Sequence, residues 1–138
     1  MARIAALLPL ALLAASCTVS TGPERLPTSL HTEPIRGAVP PLVITTSADT
    51  VRIQWWILMN EPCYDFTADA LMVPADSLAV ILTAVRRPQF CPQVLTGFAY
   101  DLAVSRVPSG QVPVRLIYAR YGPPTYREMV LDTSVAIP

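Results

Sequence analysis

The chain has 138 residues, 52% of them apolar and 14% charged, with ten Arg, no Lys, ten Asp plus Glu and a formal net charge of zero. That is the length of one domain, and its charge balance excludes both the basic field a nucleic-acid backbone requires and an acidic tail, so no nucleic-acid partner is expected. Fifteen Pro in so apolar a chain exclude a disordered polymer and predict a folded core beside a Pro-rich segment.

The first element, residues 1–16, has Arg3 ahead of an apolar run from Ile4 to Ala15, closed by small residues at Ala14, Ala15 and Ser16. This is the order of a secretory signal peptide. The run is about twelve residues long and contains Pro9, against the roughly 20 apolar residues a membrane-spanning helix needs. The stretch Leu13-Ala14-Ala15-Ser16-Cys17 resembles the lipobox of bacterial lipoproteins, and the resemblance implies a mature chain that starts at a lipidated Cys17. A diacylglycerol on the sulfur and a third acyl chain on the amino group would then anchor the protein to a membrane. Thr18 stands where an Asp would resemble an inner-membrane retention signal, which favours the outer membrane. Ordinary cleavage, leaving a soluble periplasmic or secreted chain, is the alternative.

Residues 17–41 read as the anchor site and a Pro-rich tether, with Pro23, Pro27, Pro34, Pro40 and Pro41 and little apolar periodicity. Such a tether would hold a domain up to about 60 Å from the bilayer. The sole His, His31, falls inside it and reads as a solvated linker residue.

Residues 42–138 form the predicted domain. Over 50–59 the period is two, with Val51, Ile53, Trp55, Ile57 and Met59 on one face and Arg52, Gln54, Trp56 and Leu58 on the other. Strands are also predicted at 42–46, 66–73, 78–86, 94–107, 112–121 and 126–137, separated by Pro-, Gly-, Asp- and Asn-bearing turns. For 77–86 a helix capped by Asp76 or Ser77 competes with a strand. The β-branched Val80, Ile81, Thr83 and Val85 favour the strand. From Val94, the residues Val94, Phe98, Tyr100, Leu102 and Val104 share a face expected to meet the core. The whole is an all-β, seven-stranded sandwich.

Lipidation of Cys17 leaves Cys63 and Cys91 as a pair in an oxidising compartment, so a disulfide between them is expected, contributing about 3.5 kcal/mol. Asn60-Glu61-Pro62-Cys63-Tyr64, then Cys91-Pro92-Gln93-Val94-Leu95-Thr96-Gly97-Phe98, then Val107-Pro108-Ser109-Gly110 and its following strand resemble small immunoglobulin-like domains of exported bacterial lipoproteins. That resemblance implies an immunoglobulin-like sandwich and an envelope location, and no activity.

Catalysis is not expected: the one His lies in the tether, both domain Cys are committed, and no Gly-rich phosphate loop occurs. Asp65, Asp69 and Asp76 read as solvated turn and edge acids, without calcium-loop spacing, so neither a metal nor another cofactor is expected. Arg52, Arg115, Arg120 and Arg127 read as a solvated stripe. The candidate binding surface is aromatic. Trp56 must point away from Trp55, and with Tyr118, Tyr121 or Tyr126 beside it would offer a platform for a sugar ring or a partner protein. In the opposing reading Trp56 is covered by the tether or by neighbouring side chains. The expected function is a lipid-anchored cell-envelope lipoprotein whose sandwich is a non-catalytic binding or assembly module, touching the membrane through its lipid and another envelope protein or a glycan through its surface. The alternatives are a purely structural lipoprotein and a carbohydrate-binding domain.

Overall fold

The structure, a computed structural model, describes residues 22–73, 76–122 and 124–138. The signal segment, Cys17 and the turn residues Pro74, Ala75 and Pro123 lie outside the described residues. Nine strands form two sheets: β1 (Glu24–Leu26), β2 (Thr28–Pro34), β3 (Val43–Ser47), β4 (Thr50–Met59), β5 (Tyr64–Val73), β6 (Ser77–Arg86), β7 (Thr96–Val104), β8 (Gly110–Tyr121) and β9 (Tyr126–Ile137). One sheet has the order β1-β5-β6-β8-β9 and the other β2-β7-β4-β3. The molecule is a β-sandwich. Pairing is antiparallel except between β6 and β8, which run parallel.

Strand count is nine instead of seven because the segment expected as a tether supplies β1 and β2. Both lie on sheet edges, where one side of the backbone needs no partner and Pro is tolerated. Each contributes only one apolar contact to the core, Leu26 from β1 and Leu30 from β2, too few to show as a period. Pro27 sits where the chain leaves one sheet for the other, and its carbonyl accepts from Ser105 N at 3.0 Å. Residues 77–86 are strand β6, paired on both sides, and no helix occurs among the described residues.

The period of two places alternate residues inside. Val51, Ile53, Ile57 and Met59 of β4 and Phe98, Tyr100, Leu102 and Val104 of β7 meet Leu78, Val80, Leu82 and Ala84 of β6 and Val112, Val114, Leu116 and Tyr118 of β8. Each such aliphatic contributes roughly 1.5–3 kcal/mol on burial. Val94 is not among them: it precedes β7, is exposed, and stands beside the exposed Leu95. The strand begins two residues later than the apolar run, after a tight turn in which Val94 N donates to Pro92 O at 3.0 Å.

The two ends of the sandwich are built differently. At one end the β4–β5 and β6–β7 connections pass between sheets, and the Cys63–Cys91 disulfide joins them, with the Cα atoms 5.9 Å apart. At the opposite end β1 hands over to β2, β3 turns into β4, and Val107 N donates to Asp49 O at 2.8 Å. The β3–β4 turn is two residues, Ala48–Asp49, between the paired Ser47 and Thr50. Ala48 adopts a positive φ of 49° there, a conformation natural to Gly. β2 and β3 occupy opposite edges of the four-stranded sheet, so residues 35–42 must traverse it. This strap is pinned at its start, where Ile35 N donates to Gly97 O at 2.8 Å. A Cβ on Gly97 would lie 3.1 Å from Ile35 Cδ1, so a larger residue there would push the strap away.

Candidate functional site

The four-stranded sheet turns its second face outward. Register aligns Ser29, Ala103, Arg52 and Thr45 in one row across it, and His31, Asp101, Gln54 and Val43 in the next. Because side chains alternate, these residues stand on the outer side while Val51, Ile53, Leu102 and Val104 fill the inner one. Over this face lie adjoining concavities. One, of about 720 Å³, is lined by His31, Thr45, Ser47, Arg52 and Asp101 among others, and the next, of about 280 Å³, shares His31 and Asp101 and is walled by Pro40 and Pro41 of the strap. A third, of about 480 Å³, lies between β2 and the strap at Glu33, Arg36 and Ala99. Together they form a groove.

At its centre Arg52 grips Asp101. Arg52 Nε donates to Asp101 Oδ1 at 2.6 Å, Nη2 donates to Oδ2, and Gln54 Nε2 donates to Oδ2 at 3.3 Å. The Arg52 hydrogen bond holds the Asp101 carboxyl below the usual carboxylate range, with Gln54 and the charges of Arg52 and His31 acting in the same sense against partial desolvation. The same contact raises Arg52. His31, expected in a solvated linker, is instead on β2 opposite Asp101. The floor is thus a planar, charge-paired group flanked by the hydroxyls of Ser29, Thr45 and Thr50.

The aromatic residues expected to form one platform are not brought together. Trp56 is on the outer face of this sheet, half-buried, paired in register with Ala99, while Trp55 packs inward with its ring 6.3 Å from Tyr100. Tyr118 is wholly buried between the sheets, and its hydroxyl donates to Met59 Sδ at 3.3 Å. Tyr126 begins edge strand β9 and packs edge-on against Tyr118 with centroids 5.6 Å apart. Tyr121 is exposed at the end of β8 in the other sheet. The reason is parity: β8 faces even-numbered residues inward, which takes Tyr118 into the core and sends Tyr121 out on a sheet that Trp56 does not belong to.

A second polar cluster, which the sequence did not reveal, occupies the disulfide end. Glu61 is 2% exposed, and Arg86 holds both its oxygens, through Nε to Oε1 and through Nη2 to Oε2 at 3.1 Å. Gln93 Nε2 adds a bond to Oε2 at 3.3 Å. The hydrogen bonds from Arg86 pull Glu61 below its ordinary value against desolvation. Arg120, expected among solvated cations, is buried. Its Nη2 donates to Asn60 Oδ1 at 3.0 Å and to the Tyr64 hydroxyl, and its guanidinium lies 5.1 Å from the Tyr64 ring centroid and 5.9 Å from that of Tyr126. The remaining stripe is dispersed, with Arg52 in the other sheet and Arg115 beside Asp132 at 3.6 Å. Asp65 and Asp69 face outward on β5 against Arg87 and Arg25. Among the described residues no three His, Cys, Asp or Glu side chains gather as a metal ion would need.

Comparison of the chain with protein-family models, with curated proteins and with solved structures finds no match.

Proposed function

We propose that this chain is a lipid-anchored lipoprotein of a bacterial cell envelope whose β-sandwich is a non-catalytic binding module. The observation that carries the binding part is the groove over the four-stranded sheet, a concave surface of mixed polar and apolar lining centred on Arg52, Gln54 and Asp101. Support for the anchor is the signal order and the Leu13–Cys17 stretch, with Thr18 favouring the outer membrane and a soluble periplasmic or secreted chain as the rival state. The chain reaches β1 at the end of the sandwich away from the disulfide. With a lipid on Cys17, only Thr18–Pro23 would separate it from β1, a reach of at most about 25 Å. The domain would then stand close to the bilayer with the disulfide end pointing away.

A second reading, assembly with another envelope protein, is favoured by that distal end. Phe90, 94% exposed, lies between Pro88 and Pro92 in sequence and next to Cys91, with Val94 and Leu95 also exposed. An exposed aromatic is the residue type enriched at interfaces. A photoreactive residue at position 90 that forms no adduct in intact cells would remove this reading.

The anchor is tested by intact mass of the protein made in a bacterium with its signal in place. A chain starting at Cys17 and carrying acyl chains is expected. A free chain with an unmodified Cys17, recovered in the soluble fraction, would overturn it.

A further inference from the structure

From the groove's chemistry we infer that it binds a neutral, hydroxyl-rich ligand, an oligosaccharide segment; this rests on the binding-module reading and adds the ligand class. Charge is the first reason. The ionisable groups that face the groove from β2, β4, β7 and the strap are His31, Glu33, Arg36, Arg52 and Asp101, so its two Arg stand against two carboxylates. An anionic ligand meets Asp101 and Glu33, a cationic one meets Arg52 and Arg36, and a neutral one meets neither penalty.

Hydrogen-bonding capacity is the second. Arg52 commits Nε–H and one N–H of Nη2 to Asp101, which leaves three of its five donors. Asp101 accepts from Arg52 and Gln54 and keeps lone pairs free, while the Gln54 carbonyl makes no bond among the described residues. Acceptors and donors thus alternate at neighbouring positions on one flat surface. A sugar's adjacent hydroxyls match that order, one donating to the carboxylate and the next accepting from the guanidinium. Thr45, Ser47 and Thr50 extend the pattern along the wall at β3 and β4.

Shape is the third. The floor rows are two residues apart along β4, about 7 Å, and the adjoining concavities give room for several rings. Pro40, Pro41 and Val43 supply the apolar wall that covers a ring's C–H face. Trp56, two residues beyond Gln54 on the same face, pairs in register with Ala99, which lines the two concavities beside the strap.

The test uses the full chain made with its signal and purified in detergent, titrated calorimetrically with chitotetraose, cellotetraose and maltotetraose and, as a charged counterpart, with tetragalacturonate. Titration to about 10 mM covers dissociation constants near 1 mM. At least one neutral tetrasaccharide is expected to bind, with a change in tryptophan emission, since Trp55 is among the residues lining the concavity beside Pro40 and Pro41. Arg52→Met and Gln54→Ala should each weaken it by about tenfold or more, the loss of one good hydrogen-bonding pair, while Arg115→Met on the other sheet should leave it unchanged. The inference fails if a chain that melts cooperatively with its disulfide intact binds none of the three. It fails equally if tetragalacturonate binds more tightly, or if Arg115→Met weakens binding as much as Arg52→Met. Binding by a chain without acyl groups at Cys17 would remove the anchor and support the groove, and an acylated chain that binds none would remove the groove and keep the anchor.

Discussion

The protein contains the same chemical unit twice, an Arg gripping a carboxylate through two N–H bonds, and the two copies live in different surroundings. Arg86–Glu61 sits at the disulfide end with the Glu61 side chain only 3% exposed, whereas Arg52–Asp101 lies on an open sheet face with Arg52 54% exposed. In the first, Gln93 takes part of the remaining capacity and neighbouring loops cover the rest, so the unit closes the structure upon itself. In the second, Gln54 takes one position and the other donors and acceptors face water. A buried charge pair is costly to break because its partner is left without solvent, and an exposed one is cheap to break because water replaces it. Identical chemistry therefore closes the fold at one end and leaves unused donors and acceptors on the other face, the feature on which the proposed binding role rests.

The largest expected effect removes the covalent closure beside the buried pair. Cys63→Ala with Cys91→Ala should cost about 3.5 kcal/mol in denaturant unfolding, since the cross-linked residues are 28 apart in sequence, and the loss should appear as a lower midpoint. A cost under about 1 kcal/mol would mean that the buried polar cluster alone closes this end.

Next comes the buried pair itself. Glu61→Ala strands a part-buried Arg86 and removes the acceptor of Gln93, so it should lower Tm clearly more than Asp101→Ala, which strands Arg52 and Gln54 where water can replace the carboxylate. Equal shifts in Tm would erase the distinction drawn between the two sites.

Acid should act through both carboxyls. Each has a folded-state pKa below its unfolded value, so the unfolded chain binds more protons between the two and stability rises with pH there. The contribution is complete above the ordinary Glu and Asp values of about 4.3 and 3.9, and is lost as pH falls through the depressed folded values. Glu61→Gln should flatten the acid limb of a Tm–pH profile; an unchanged limb would assign it to other groups.

Asp101→Asn should leave Tm within about 3 °C of the parent, the range for an exposed pair, while weakening any groove ligand. A collapse of Tm would make the groove's centre structural. The smallest effect belongs to the hairpin tip at the groove's rim. Ala48→Gly should raise stability by about 0.5 kcal/mol, because a positive φ costs Ala more than it costs Gly.

Much of the fold was legible. The apolar alternation from Thr50 to Met59 places four of its five inward residues deep in the core, and the runs at 66–73, 78–86, 112–121 and 126–137 each fall inside an observed strand. Alternation is legible because it is a local consequence of strand geometry joined to burial on one face. The edge strands β1 and β2 were not legible, since an edge strand holding one apolar contact has no period to show. The site was legible only in parts: Arg52, Gln54 and Trp56 were assigned to one face, but Asp101 and His31 join that face only through pairing across chain separations of 49 and 70 residues from Arg52 and His31 respectively to Asp101. 

By itself, then, the sequence determined that the chain is all-β, which residues of most strands turn inward, and that Cys63 pairs with Cys91, because each follows from local period or from counting. Tertiary structure decided what stands beside what. It set β6 parallel to β8, carried the supposed tether across the sandwich as two strands and a strap, buried Tyr118 and Arg120, and brought His31 to Asp101. The physical reason is that pairing partners are chosen by the whole core at once. A strand specifies its own two faces, and only the register of its neighbours specifies which groups share them.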